Sequence, residues 1–339
     1  MSANCTVAPD SVSSDAGVAG IGVLLSFMIT ALIALVISAS LIFQEARNNG
    51  SSSSLQKPSI LRRKLLNSYS DQQILTGIGI QSVGLAKTAS MTPYHFFLVW
   101  MLSLLSMAVH NATLLALSGD FRRDWVLRWM RQFLMFVNLV LSCVYGVFVL
   151  RAVQRGLNDS TFPVACVWEP STKDGPAPAN TGVSFAGTIA VIAGNVVIFA
   201  LATWYLHGRA RRRFYVAFQV VGLLLMAGSA VGATVRVAYL ADAFADPPIH
   251  LADPGEQEWS FGQLLSVGML LLPLVSTVEI VRGEIRCAPP IPPDYSDEDD
   301  KGRLLGDDGQ ELRSDVRAQG TADFQPNPFW GSQANLFRK

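Results

Sequence analysis

Long apolar runs constrain this chain more than any other feature of its sequence. Seven stretches stand out between short polar segments: Val18–Phe43, Ile74–Ala89, Tyr94–Leu117, Phe133–Leu150, Val183–Leu206, Phe214–Leu240 and Phe261–Val281. The hydrocarbon core of a bilayer is ~30 Å thick and takes about 20 helical residues to cross. A backbone in lipid must satisfy its own hydrogen bonds, so runs of this kind fold as helices. The expected fold class is an all-α membrane protein, a bundle of seven transmembrane helices whose first partner is the lipid bilayer. Composition agrees, with 50% hydrophobic and 15% charged residues, where soluble domains carry about 25% charged. The formal net charge is zero, which gives no footing for a nucleic-acid partner. The first run is preceded by no Lys or Arg and is longer than the ~7–15 residues of a signal-peptide core, so it reads as a span.

The second run is the weakest. It is short, contains Gly77, Gly79 and Gly84, and carries Gln81 and Lys87. Charge asymmetry decides whether it crosses, because short cytosolic loops carry an excess of Lys and Arg. Seven crossings with the N-terminus outside the cytosol put three basic clusters on the inner side: Arg47 to Lys64, Arg122 to Arg131, and Arg209 to Arg213. Arg282 and Arg286 then close the last span on that side, and the last outer loop is acidic, with Asp242, Asp246, Asp253, Glu256 and Glu258. Six crossings would split the clusters between the two sides. The expected organisation is an extracytosolic segment 1–17, a seven-helix domain 18–286 and a disordered cytosolic tail 287–339. The tail opens Pro-rich and runs into the acidic stretch Asp294–Asp300, with too little apolar surface to fold alone. Ser51–Ser54 reads as a flexible loop. Pro93 suits a helix start, and Pro273 is the expected kink of the seventh span.

The outer segments hold two glycosylation sequons, at Asn4 and Asn158, and two cysteines, Cys5 and Cys166. An oxidising exterior would allow Cys5 and Cys166 to form a disulfide; two separate thiols are the alternative. Asn111-Ala112-Thr113 matches the sequon inside a span and is expected to stay unmodified. Cys287 beside the membrane is a candidate palmitoylation site, and Ser296 a candidate phosphorylation site. The sequence leaves the host membrane open between plasma membrane and endomembranes.

Polar residues inside spans are expensive and are the default functional candidates. His110 and Asn111 lie in the third span, Asn138 in the fourth and Asn195 in the fifth, at depths that would let them line one polar pocket. The other reading is interhelical hydrogen bonding that holds the bundle together. His110 stands out because it alone of the four titrates near neutral pH. Arg236 could hold an anionic group or snorkel to the outer surface, and Glu279 is spaced to pair with Arg282. There is no Gly-rich phosphate loop, no Gly-x-Ser-x-Gly, no His-Glu-x-x-His and no Cys-x-x-Cys, so neither a metal nor another cofactor has a signature.

Seven spans with an outer N-terminus suggest a rhodopsin-like receptor, but the residues differ. The third span ends Ser118-Gly119-Asp120-Phe121-Arg122, and the seventh reads Leu272-Pro273-Leu274-Val275-Ser276 with no lysine to hold retinal. Three other stretches matter more: Asp15-Ala16-Gly17-Val18-Ala19-Gly20-Ile21-Gly22-Val23, Ser70-Asp71-Gln72-Gln73-Ile74-Leu75-Thr76-Gly77-Ile78, and Tyr94-His95 with His110-Asn111-Ala112-Thr113-Leu114. On these the first half of the chain resembles a family of fungal multi-span integral membrane proteins. Some members of that family belong to secondary-metabolite clusters, including those for perylenequinone pigments such as elsinochromes. The resemblance implies an accessory role in such a pathway, with no reaction, catalytic residue or cofactor assigned. The expected partner inside the bundle is then a hydrophobic small molecule. The alternatives are a receptor-like sensor that reaches a cytosolic protein through its basic loops or tail, and a membrane-embedded enzyme such as an isoprenoid cyclase.

Overall fold

The computed structural model describes residues 5–48, 60–117, 125–170, 172, 181–207 and 212–281. Outside the described residues lie Asn4, the Ser51–Ser54 loop, much of the basic clusters, Arg282, Cys287 and the whole tail 287–339. After a short helical turn at Ala16–Ala19 come α1 (Ile21–Asn48), α2 (Ile60–Ala86), α3 (Pro93–Ala116), α4 (Trp125–Gln154), α5 (Thr181–His207), α6 (Arg212–Leu240), α7 (Phe261–Met269) and α8 (Leu272–Val281). A 3-10 turn, Val164–Trp168, lies in the connection after α4.

Among the described residues, five helical stretches are long and apolar enough to cross a membrane: Ala16–Arg47, Pro93–Ala116, Trp129–Gln154, Gly182–Trp204 and Val216–Leu240. The chain is therefore an all-helical protein built for a lipid bilayer. The expected span at Ile74–Ala89 lies on a helix that is not among the five. Its helix begins at Ile60 and ends at Ala86, so it takes in Arg62, Arg63 and Lys64 and falls short in apolar content. The seventh run is also divided, into α7 and α8, with the break at Leu270–Leu271 and Pro273 at the second position of α8. Proline lacks the N–H that would bond Met269, which is why the helix restarts there.

α3 is the axis of the bundle. It packs against α1, α2, α4, α5 and α6, and α7 and α8 lie along α1 and α2. Every residue of α3 except Phe97 and Ala116 is buried. It is also the least apolar of the five. Both follow from lipid as solvent: the central helix meets only protein and can carry polar groups, whereas the outer helices must present apolar side chains to the acyl chains. On α4 the exposed stripe Phe133, Phe136, Val140, Val144 and Val147 repeats at three- and four-residue spacing, one helix face turned outward. α6 turns Val220, Val221, Leu224, Leu225, Val231 and Val235 outward in the same way.

α3 starts where the sequence places it. The Thr92 side chain caps the His95 amide and Pro93 takes the first helical position, where its missing N–H costs nothing. Close approach of α2 depends on glycine. A Cβ at Gly77 would lie 2.6 Å from Ser106 Oγ, and one at Gly84 would overlap the Tyr145 hydroxyl. Tyr145 instead donates to the Gln81 carbonyl at 2.7 Å.

Candidate functional site

Three polar assemblies surround α3. The first lies between α2, α3 and α4. His110 Nε2 meets Ser106 Oγ at 3.0 Å, and Ser106 donates in turn to the Gln73 carbonyl at 3.0 Å. With its proton committed there, Ser106 accepts from Nε2, which leaves His110 Nδ1 facing the Ser70 hydroxyl at 3.5 Å. Asn138 Nδ2 reaches Ser106 Oγ at 3.4 Å and Met107 Sδ at 3.3 Å, and its Oδ1 accepts from Gln81 Nε2 at 2.6 Å.

The second lies on another face of α3. Asn111 Nδ2 donates to Asn195 Oδ1 on α5 at 3.4 Å and approaches Met226 Sδ on α6 at 3.3 Å. The four residues expected to share one pocket are thus divided. His110 joins Asn138, and Asn111 joins Asn195. Consecutive residues on a helix are turned by about 100°, so His110 and Asn111 face different neighbours.

The third assembly lies at the end of the bundle near the disulfide, and the spacing of residues gives no sign of it. His95 Nε2 lies 2.5 Å from Glu256 Oε1, and Tyr94 donates to Glu256 Oε2 at 3.1 Å. The Thr92 hydroxyl meets His95 Nδ1 at 3.0 Å, and the Asp242 amide donates to the Tyr94 oxygen at 2.8 Å. Glu256 has no exposed surface and His95 is 2% exposed. Burial, and then the nearby Glu256 charge, push the Asp242 carboxyl above its ordinary range.

The N-terminal segment closes over this end. Cys5 is joined to Cys166 by a disulfide. Thr161 donates to the Pro9 carbonyl at 2.6 Å. Val12 bridges to His250 and Ala252, with N–H to O distances of 3.1 and 2.8 Å. Ser14 binds Asp253 through both its hydroxyl and its amide, and Asp15 pairs with Lys87 at 2.6 Å. The Ile21 amide donates to the Glu256 carbonyl at 3.1 Å.

Beside these assemblies is a cavity of about 240 Å³ between α1, α2 and α7. Val23, Phe27 and Ile80 give it apolar walls. Gln72 and Gln73 also line it, and the Oε1 of each is buried with no hydrogen-bond partner among the described residues. Gln73 is 2% exposed. A buried amide oxygen left unpaired costs about 1–3 kcal/mol. The Gln73 backbone carbonyl anchors the His110–Ser106 chain, and Gln73 is also among the residues lining the cavity, so one residue touches both. His110, Asn111, Asn138 and Asn195 do not line the cavity.

The remaining candidates are placed plainly. Asn158 lies half-buried beyond α4 and Arg236 is exposed on α6. The Glu279 side chain lies outside the described residues. No cluster of three or more metal-ligating side chains occurs among the described residues. Asp71 on α2 pairs with Arg131 on α4 at the opposite end of the bundle from the disulfide. Comparison with protein-family models, with curated proteins and with solved structures gives no match, so the geometry stands without a relative beside it.

Proposed function

We propose that this chain crosses the membrane seven times with its N-terminus outside the cytosol, and serves as a ligand-holding accessory protein in a fungal secondary-metabolite pathway of the elsinochrome-like pigment kind. The cavity carries the ligand-holding part of this reading. It combines the apolar walls of Val23, Phe27 and Ile80 with the polar residues Gln72, Gln73 and Thr76. Mostly apolar concavities with a few convergent polar groups are where small ligands bind.

Seven crossings have support beyond the five apolar stretches. α2 has 27 residues, ~40 Å of helix at 1.5 Å per residue. It packs among α1, α3 and α4, and its polar residues Ser70, Gln73 and Gln81 are buried. A helix that spends its polar residues inward needs fewer apolar ones than a lipid-facing helix. The disulfide also fits, because it joins two segments that the seven-span arrangement puts on one oxidising side.

The accessory role rests on the resemblance, and its three stretches gather around the candidate site. Gly17, Val18 and Val23 from the first and Gln72, Gln73 and Thr76 from the second line the cavity, and the third supplies His95 and His110. Catalysis has less support. The hydrogen-bond partners of His110 are two serine hydroxyls and no carboxylate, and the cavity does not reach it.

Deleting the gene in its host tests the role. Loss of a pigment with its precursor accumulating is the expected result. Normal pigment with altered signalling would instead favour the receptor-like sensor. Restoring the gene with Gly79→Phe, which fills the cavity, should fail to restore pigment. Full restoration by that variant would remove the ligand-holding part.

A further inference from the structure

We infer that the cavity between α1, α2 and α7 is a lateral groove that holds one hydrocarbon chain, the acyl chain of a phospholipid in the leaflet on the disulfide side. This rests on the ligand-holding reading above and names the class and source of what is held. The groove exists because the last apolar run folds as two helices. α7 lies along α1 and α8 along α2. A Cβ at Gly22 would come within 2.7 Å of the Gln263 side chain, so glycine lets α7 sit close on α1. The Gly22 amide donates to Gln263 Oε1 at 3.1 Å and fixes that contact. At the break between α7 and α8, the Tyr69 hydroxyl of α2 lies 3.5 Å from the Leu270 carbonyl. From there toward the disulfide end α7 follows α1, and a slot remains beside α2 with Val23 and Phe27 of α1 in its wall.

Wall and shape select the occupant. Among the described residues, no Lys, Arg, His, Asp or Glu lines the groove. Its hydroxyls have given their protons to their own helices: Ser26 to the Val23 carbonyl at 2.8 Å, Thr30 to Ser26 at 2.7 Å, Thr76 to Gln72 at 2.9 Å and Ser266 to Gly262 at 3.0 Å. The side-chain oxygens of Gln72 and Gln73 are sealed inside the protein and do not face the space. A polar occupant would give up its own hydrogen bonds for little in return, and a hydrocarbon chain gives up none. On α2 the lining residues Gln72, Thr76, Gly79 and Val83 repeat at three- and four-residue spacing, a stripe of ~16 Å at 1.5 Å per residue. The chains of one leaflet fill half of a ~30 Å core, so the lengths agree. The stripe ends four residues before Lys87, ~6 Å of helix, and so runs from near the disulfide-side surface to the middle of the membrane. A volume of about 240 Å³ spread along that stripe makes a long, narrow slot, the shape of a single chain. Its mouth faces lipid, since Val83 is exposed and a Cβ at Gly79 would meet nothing within 4 Å.

The test uses the full chain in nanodiscs of phosphatidylcholine that carries a photoactivatable diazirine midway along one acyl chain. Adducts are located by mass spectrometry after illumination and digestion. Leu224, exposed on α6, reports ordinary contact with the bilayer. Val23 and Phe27 are 5% and 4% exposed, so a chain reaches them only from within the groove. The wild type should give adducts at Leu224 and also at Val23 and Phe27. Gly79→Phe, which fills the groove, and the smaller Gly79→Leu should lose the Val23 and Phe27 adducts and keep those at Leu224. An intact Cys5–Cys166 bond on non-reducing gels shows that both variants have folded. Adducts at Leu224 alone in the wild type would overturn the inference. So would Val23 and Phe27 adducts that persist undiminished in both variants. Adducts there from a free fatty acid bearing the same diazirine, with none from the phospholipid, would overturn the phospholipid source. The ligand-holding reading fails separately: full restoration of pigment by Gly79→Phe removes it even where the adducts behave as expected, and the groove is then a lipid site without that role.

Discussion

His95 and Glu256 meet with almost no water around them, and this sets the cost of disturbing either one. Removing one partner of a buried hydrogen-bonded pair leaves the other unsatisfied, which costs about 1–3 kcal/mol or more. His95→Ala should therefore lower the unfolding midpoint of the purified protein sharply. Glu256→Gln keeps the shape and two polar atoms for His95 and Tyr94, and should cost less; the two midpoints measured side by side check the order. A second contrast separates two glycines two residues apart on α2. Gly77→Ala drives a Cβ to 2.6 Å from Ser106 Oγ, an overpacking that costs about 1–3 kcal/mol. Gly79→Ala meets nothing within 4 Å and gains up to about 1 kcal/mol of helix propensity. Denaturation of the two variants should move in opposite directions. At this scale the sequence was half legible. His110, Asn111, Asn138 and Asn195 declare themselves because polar groups in apolar runs must be satisfied by protein. Glu256 does not, because it is one acid among several in a polar loop and only the fold shows which one is buried.

Among elements, the strap that runs from Cys5 to the start of α1 has the clearest response to conditions. The Ser14 hydroxyl, followed by the Gly255 and Ser14 amides, holds Asp253 below the ordinary carboxylate range. A carboxylate lowered in the folded state contributes stability above its unfolded pKa and loses it as pH falls through the folded value. Acidification below the ordinary carboxylate range should therefore loosen the strap. Hydrogen exchange at the Val12 and Ala252 amides, which bond across the strap, should quicken there. Asp242 has the opposite sign. Its raised carboxyl favours the folded state at low pH and loses that contribution as pH rises through the raised folded value; the Tyr94 contact is made by the Asp242 backbone amide, so it should survive the acid that frees Ser14. Sequence patterning locates the elements unevenly. α1 and α3 to α6 are apparent as apolar runs because each has lipid or core on every side. α2 is apparent only in its upper half, since its first fourteen residues mix basic side chains with Leu61, Leu65 and Leu66 and have no uniform environment. The α7–α8 break is readable from Pro273, because the loss of one N–H acts locally.

For the whole molecule, architecture follows from solvent: a polar-bearing axis, α3, inside a ring of helices whose apolar faces turn outward. Five of the seven apolar runs become helices of membrane-crossing length, and these are visible without coordinates because they answer to the bilayer. Which helix occupies the axis is not, because α3 is no more apolar or longer than its neighbours and only mutual packing selects it. The Cys5–Cys166 bond ties two parts of this architecture 161 residues apart. Removing such a cross-link costs about 2–5 kcal/mol through the freed unfolded chain, so Cys5→Ser should lower the unfolding midpoint and abolish the mobility difference between reduced and non-reduced gels. The same separation orders assembly in time. A ribosome adding about 5–20 residues per second releases Cys5 roughly 8–32 s before Cys166, and Glu256 arrives later still. Through that interval the first helix is already made while its outer anchor has nothing to grip. The strap is thus made well before the segments that fasten it, and a nascent chain stalled before Cys166 should carry Cys5 as a reduced, labellable thiol.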